Sequence, residues 1–472
     1  MNTKRKVLFI TETKLSTENI TYFHEGVVVP FSLALESQFD LLSTSNNDKL
    51  GQSISVFKPE FILIDLGSSI KRNPLPSPDL INSFNIPVGV YSLLDAHYHS
   101  NVDIISYMNE LSPEVIFSHD FLEGFFPKNL SDIAVFIPNC YNDNIFYDFQ
   151  QKKEYLCGFY GAGFFNKTMY PWRERVARRV LPEFPSLVLP RPLGLRQHDM
   201  VGKRFAEVMN KTSFTFGCTS IKDIPVRKVF EIPATKSVLV TSKSQVLDKL
   251  GFKHKENCLM VDTDNVLQTL RFYMDNPDAY EELVENAFQW VKEHHSWRNR
   301  NHFSNWLECF LTKKTGQKVV QSDLLGAFIL ADENVQAEPV YCSDLFGLLK
   351  QARQYWTKAQ YIKAGNEYQK LQTCFPLVPE YVIGVIRSLI EQHAIPEARE
   401  ELERYLKRMV IRESVTLDPV IVGYARLLSL QVKIKQTIYN PSGSVMTIIP
   451  MPEGSIDAHL MTIKQYDLSD SI

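Results

Sequence analysis

Short apolar runs recur through the first 150 positions, each bounded by polar or turn-forming residues: KVLFIT, FILIDL, IPVGVYSLL, VIFSH and AVFIP. None shows the strict polar alternation of a half-solvated strand. Unbroken runs of this length predict strands covered on both faces, as in a parallel sheet layered between helices. Ligands of such sheets bind beyond the carboxyl ends of the strands, so functional residues are expected just after these runs.

A polar, tyrosine-rich patch, NDNIFYDFQQKKEY, interrupts the series, and a second one begins at YLCGFYGAG. It continues through a helix around Trp172 to Leu181, SLVLPRPL, a helix from Gly202 to Asn210, SFTFG, a helix–strand unit over residues 225–241, and NCLMV. Helices around Asn265 to Met274 and Asp278 to His294 close it. The pattern predicts an α/β chain of two Rossmann-like domains facing a cleft, over residues 1–150 and 151–315. Residues 316–342 are mixed in pattern and are expected to be a connector.

From Leu345 the period changes. Ala364, Tyr368 and Leu371 recur 34 residues later as Ala398, Leu402 and Tyr405, with Leu348, Ala352 and Tyr355 upstream and Pro376 between. This resembles the tetratricopeptide pattern of small and large residues on paired helices. The expectation is an α-helical extension over residues 343–436, with DPVIVGYARLLSLQVKI as its capping helix and residues 437–472 unplaced. Two such units rarely stand alone, so they are expected to lean on the preceding domain.

Composition narrows the function classes. A formal net charge of −3 over 472 residues gives no broad basic field, which disfavours nucleic acid and anionic membrane as partners. No run of about 18 apolar residues exists, so no spanning helix is expected. The seven cysteines are scattered, without CxxC spacing, and suit buried thiols in a reducing cytoplasm.

The stretch PVRKVFEIPATKSVLVT, residues 225–241, carries the chemistry. Pro225 suits a helix start, placing Arg227 and Lys228 in the first turn, where cations oppose the helix dipole unless an anion joins them. A diphosphate would reverse that sign. Glu231 offers two oxygens to vicinal hydroxyls. Diphosphate beside a diol is the outline of a nucleotide.

At this point the sequence resembles the GT-B-fold glycosyltransferases, and within them the CgeB-like, spore-maturation group, whose pattern is R-x-F-E-x-x-A-x-G. NCLMVDTDNVLQTLRFYMDNPDAYEEL and HHSWRNR (His295, Ser296, Trp297, Arg300) are similar to the segments that follow in that group, as are KRFAEVMNKTSFTFG and GFYGAG upstream. The resemblance implies a metal-independent glycosyltransferase, with a UDP- or GDP-sugar donor on the second domain and a glycan, protein or other hydroxyl acceptor on the first. By position it implies Glu231 at the donor ribose, Arg227 or Lys228 at the diphosphate, and Asp223 near the transferred sugar. Gly161 and Arg173 are added as donor-side candidates. The helical extension would bind a protein or mediate self-association. A sugar-nucleotide epimerase or phosphorylase, and a non-catalytic scaffold, are the alternatives.

The departure is at Lys236, where that group has the glycine of a left-handed turn. Either the turn is rebuilt, or the ammonium contributes to an anion site. Acceptor-side candidates are Asp95, His97, His99 and His119, which follow first-domain strands, and the loop with His24, Glu25 and Gly26. A histidine or aspartate poised near neutral pH suits a base for the acceptor hydroxyl, and Asp95, His97 and His119 are taken as catalytic candidates. Asp262 and Asp264 of VDTD match a metal–diphosphate motif, but after a strand and before a helix they are expected to cap that helix. The arginines of WRERVARRV spread around a helix and are expected to face solvent, with Arg173 or Arg175 able to reach phosphate.

Overall fold

The computed structural model describes residues 4–11, 29–45, 49–66, 75–92, 102–119, 128–161, 170–189, 202–220, 223–335, 344–374 and 379–410, with Tyr424 and Leu428. Two compact units are present. The first holds residues 1–93, 114–121 and 135–341; the second holds 94–113, 122–134 and 342–472.

The first sheet is built from β1 (Lys6–Ile10), β2 (Asp40–Thr44), β3 (Phe61–Asp65), β4 (Val88–Ser92), β5 (Val115–Ser118) and β6 (Ala134–Phe136). Its strands run in the order 2-1-3-4-5-6, with parallel pairing through β1 to β5. The five apolar runs of the sequence all become strands, and β3 is buried at every position. β2 (DLLST) is the addition: it is an edge strand with exposed Asp40 and Ser43, and so lacks an unbroken apolar run. Between these strands in sequence come helices α1 (Val29–Gln38), α2 (Leu50–Phe57), α3 (Pro78–Asn82), α4 (Val102–Leu111) and α5 (Lys128–Ser131).

The second sheet contains β7 (Tyr155–Tyr160), β8 (Ser186–Leu189), β9 (Thr212–Phe216), β10 (Val238–Thr241) and β11 (Leu259–Met260). It is wholly parallel and repeats the first sheet's order: β8, β7, β9, β10, β11. Its helices are α6 (Pro171–Val180), α7 (Gly202–Asn210), α8 (Lys228–Ala234), α9 (Gln245–Lys249), α10 (Val266–Asp275) and α11 (Pro277–His294). A further helix, α12 (His302–Thr312), packs Phe303 and Trp306 against the first sheet; Phe303 lies 5.4 Å from both Phe61 and Phe117. The chain therefore returns to the first sheet after completing the second.

The stretch 316–342, expected as a connector, contains an antiparallel hairpin of β12 (Gln317–Gln321) and β13 (Phe328–Asp332). The Gln321 side chain donates to the Phe136 carbonyl at 2.9 Å and accepts the Phe136 N–H at 3.0 Å, satisfying an edge strand's backbone.

In the second unit α13 (Asp344–Thr357), α14 (Tyr361–Cys374), α15 (Pro379–Glu391) and α16 (Ile395–Val410) pack consecutively. All six residues of the 34-residue recurrence are buried, as the pattern predicts. In α13 Ala352 is buried, but Trp356 is the buried aromatic where Tyr355 was expected. Pro376 and nearly all of the expected capping helix lie outside the described residues. Among the described residues no helix is long and apolar enough to cross a membrane.

Candidate functional site

In the second sheet the strand order reverses between β7 and β9, which opens a crevice at their carboxyl ends. Gly161 ends β7 there, with a φ of +93° that glycine takes without strain. Gly217 and Cys218 follow β9. A Cβ on Gly217 would come 2.9 Å from Ile232 Cδ1, so the missing side chain lets α8 pack closely against the strand end.

α8 is short because Pro233 lies inside it and offers no N–H to the ladder. It begins at Lys228, with Arg227 as its cap residue, three positions after the Pro225 start that the sequence suggests. At seven residues its dipole is a minor anion-binding element, and the side chains must carry that role. Val229, Phe230, Ile232 and Ala234 are fully buried and fix the helix in the core. That burial carries Glu231 inward to 1% exposure, where Arg227 Nε stands 3.6 Å from its Oε1.

Lys228 reaches across the crevice. Its Nζ donates to the Tyr160 carbonyl at 2.5 Å and lies over Gly161, where a Cβ would come within 2.1 Å of it. From α6, Arg173 is buried at 3% exposure, in contrast to Arg175, Arg178 and Arg179, which face solvent as expected. Arg173 Nη2 donates to Cys218 Sγ at 3.6 Å, its guanidinium lies 4.8 Å from the Tyr170 ring centre, and its Nε has no hydrogen-bond partner among the described residues. Burial, and then the Arg173 charge, push the Lys228 ammonium down to about 7.

The structure thus gathers Gly161, Arg173, Arg227, Lys228 and Glu231 at one sheet edge. Asp223 stands in the loop before α8, in a left-handed turn with φ +59°, and one of its oxygens accepts the Val246 N–H of α9 at 3.3 Å. Asp262 and Asp264 do not cap α10 by side chain. Asn265 is the cap residue, and its Oδ1 accepts the Asp262 N–H at 2.9 Å, so VDTD forms the turn ahead of the helix. Among the described residues no group of His, Cys, Asp and Glu is placed to hold a metal.

Lys236 resolves differently from both expectations. The left-handed turn is kept, with φ +52°, and the ammonium turns to Glu285 at 3.0 Å and Asp148 at 3.5 Å. It belongs to an ion-pair cluster of the protein's own carboxylates. The turn also holds the Lys236 carbonyl to Lys153 Nζ at 2.6 Å.

On the first sheet, His119 follows β5 and shares a 2.6 Å hydrogen bond with the Tyr91 hydroxyl. Burial pushes its ring down to about 3, with the Arg300 charge acting in the same direction. A ring held that low is neutral at physiological pH. Asp95, His97, His99, His24, Glu25 and Gly26 lie outside the described residues.

The segment after α11 forms the junction between the sheets. Arg300 is 2% exposed and donates to the Asn139 carbonyl at 3.0 Å; buried His295 and His302 flank it in sequence. Asp143 accepts from Ser296 Oγ at 2.9 Å, Trp297 Nε1 at 2.6 Å and Arg298 Nε at 2.8 Å. Sequence reasoning missed Asp143 and Cys218. The only available signal was the polar run NDN after β6, since the partners of Asp143 lie more than 150 positions away.

Residues 170–305 match a glycosyl transferase-like family model. The glycosyl transferase-like segment includes Arg173, Asp223, Arg227, Lys228, Glu231 and Arg300. No curated protein matches the chain. Among solved structures, Anabaena HepE in complex with UDP-glucose aligns at 11% identity over 63% of this chain and 97% of its own, with a TM-score of 0.40. The S. aureus MnaA–UDP structure aligns at 14% identity over 66% and 98%, with a TM-score of 0.36. A glycosyltransferase from Rickettsia africae aligns at 10% identity over 66% and 100%, with a TM-score of 0.39.

Proposed function

We propose that this chain is a metal-independent GT-B glycosyltransferase that takes a UDP- or GDP-sugar on residues 151–315 and an acceptor hydroxyl on residues 1–150. The observation that carries this reading is the cluster of Arg173, Arg227, Glu231 and Lys228, whose Nζ lies over Gly161, at the strand-order reversal of a sheet whose segment matches a glycosyl transferase-like family. Buried guanidinium and ammonium groups suit a diphosphate, because charge-assisted hydrogen bonds are strong where water is excluded. Arg227 beside Glu231 keeps the carboxylate ionised and oriented, able to accept both ribose hydroxyls.

In this reading Arg173 and Lys228 hold the diphosphate and stabilise the charge that develops on it as the glycosidic bond breaks. Asp223 would stand near the transferred sugar. Among the described residues Cys140, Cys157, Cys218 and Cys258 are buried free thiols, which suit a reducing compartment, and we read the enzyme as cytoplasmic. The buried 34-residue recurrence supports a tetratricopeptide-like extension that binds a protein partner or a second copy.

A thermal-shift and hydrolysis screen over UDP- and GDP-sugars tests the reading, with Glu231→Ala as the control. Loss of a charged hydrogen-bonding partner is expected to weaken binding about ten- to hundred-fold. Binding that survives the substitution unchanged would remove Glu231 from the site, and failure of the wild type to bind any donor would leave a scaffold.

A further inference from the structure

Lys228 differs from its two arginine neighbours in one chemical respect: it can give up its proton at ordinary pH. Its Nζ rests on the Tyr160 carbonyl at 2.5 Å and fills the space left by the absent side chain of Gly161. The groups that face it are Arg173 from α6, Arg227 and Glu231 from its own helix, Cys218 after β9 and the Tyr160 carbonyl of β7. Two guanidiniums against one carboxylate leave a positive charge around the amine before any ligand arrives. A neutral amine still donates to a carbonyl, so the resting contact does not require the ammonium.

We propose that Lys228 is a proton-linked latch on the donor crevice: in alkaline solution it rests uncharged on the Tyr160 carbonyl above Gly161, and an arriving nucleotide-sugar diphosphate draws it away as it takes up a proton from solvent. This rests on the donor-site reading above and adds a charge state to it. The step is a proton uptake alone. One solvent proton joins the lone pair of Nζ, and no covalent bond to the ligand forms or breaks. The cluster goes from one net positive charge (Arg173, Arg227, Glu231) to two, which matches the dianion of a diphosphate diester.

The direction of the pH dependence follows. Burial and Arg173 bring the free lysine to about 7, and a dianion in contact moves it back toward the ordinary lysine range. Below about pH 7 the lysine is protonated with or without ligand, so affinity is level. Above it, only the bound form holds the proton, and affinity falls by up to about ten-fold per pH unit.

The test is calorimetric titration of the full chain with UDP-glucose and with GDP-mannose, from about pH 6 to pH 8.5, in two buffers of unlike protonation heat. Nucleotide sugars carry no group of their own that titrates in this window. We expect proton uptake near zero at the acid end, rising toward about one per ligand near pH 8, with Kd rising roughly ten-fold over the same unit. Lys228→Arg, which cannot deprotonate, is expected to bind with level affinity and no uptake. Lys228→Met serves as a second control, with weaker binding and no uptake.

Level affinity without uptake in the wild type overturns the latch and leaves the donor site standing. Uptake that persists in both variants assigns the proton to another group and also overturns it. Binding of neither nucleotide sugar at any pH removes the donor reading itself, and the latch with it.

Discussion

The two sheets share one strand order, 2-1-3-4-5, and each opens a crevice where that order reverses, yet the described side chains at the two strand ends differ. Beside β7 and β9 the edge carries Arg173, Arg227 and Lys228 with one carboxylate. Beside β1 and β3 it carries Thr11, whose hydroxyl donates to the buried Asp65 at 2.9 Å, with Tyr91 and neutral His119 on the strands that follow. Repetition of the fold supplies two topologically equivalent hollows, and their described side chains differ: three cations and a carboxylate gather in one, while Thr11, Asp65, Tyr91 and His119, with the Arg300 charge acting on His119, stand in the other. In the proposed reading, that difference would separate the side that takes a charged donor from the side that takes a hydroxyl acceptor.

The largest expected effect lies on the first sheet's side and at the junction behind it. Burial lowers His119 to about 3 and holds His295 and His302 well below the usual histidine range. Each ring binds a proton in the unfolded chain below about pH 6.5, but in the folded protein only far lower. Stability is therefore intact above pH 6.5 and falls as the pH drops through that value, by about 1.4 kcal/mol per unit for each ring. Three rings together reach about 4 kcal/mol per unit, against a total of about 5–15 kcal/mol for a typical protein. Acid titration by circular dichroism should show a midpoint between about pH 4 and pH 5. His119→Gln, which keeps a partner for Tyr91 and cannot charge, should lower that midpoint by roughly half a unit. A protein still fully folded near pH 3 would show that these rings are not held neutral.

How far this asymmetry could be read beforehand depends on the range of the contacts involved. Unbroken apolar runs marked five strands of the first sheet and the strands of the second, because a strand buried on both faces announces itself locally. β2 did not, since DLLST lies half-buried at an edge. The β12–β13 hairpin was also invisible, because its half-buried strands depend on Gln321 reaching Phe136, 185 positions earlier. On the cationic side, Arg227, Lys228 and Glu231 were legible as a short motif. The burial of Arg173 was not, because only the fold brings Cys218 and Tyr170 to it. The wrong alternatives at Lys236 came from treating glycine as obligatory in a left-handed turn, when the strain is a modest cost that partners elsewhere can offset.

A smaller effect tests how the two crevices are held together. Asp143 leaves the first sheet's side of the chain and receives three hydrogen bonds from residues 296–298. Asp143→Ala removes all three, leaves the buried Ser296 hydroxyl and the Trp297 indole N–H without this acceptor, and should destabilise by about 3 kcal/mol in urea unfolding. If the junction sets the alignment of the crevices, transfer to an acceptor should fall more than donor binding, because the second sheet's cluster does not include this residue. An equal loss of both would place the effect on general stability.

The smallest expected effect is at Lys236. Glycine there relieves a left-handed strain of about 1 kcal/mol, but it adds freedom to the unfolded chain, worth about 0.5–1 kcal/mol in the opposite sense. It also removes ion pairs to Glu285 and Asp148, whose partly exposed side chains limit their worth to about 0–1 kcal/mol. These contributions nearly cancel, so Lys236→Gly should change the stability by less than about 1 kcal/mol. Nucleotide-sugar affinity should not move, since the ammonium is spent on the protein's own carboxylates at 3.0 and 3.5 Å. A fall in that affinity, read in the same calorimeter as the Lys228 variants, would return Lys236 to the donor site and extend the cationic crevice beyond the cluster on α8 and α6.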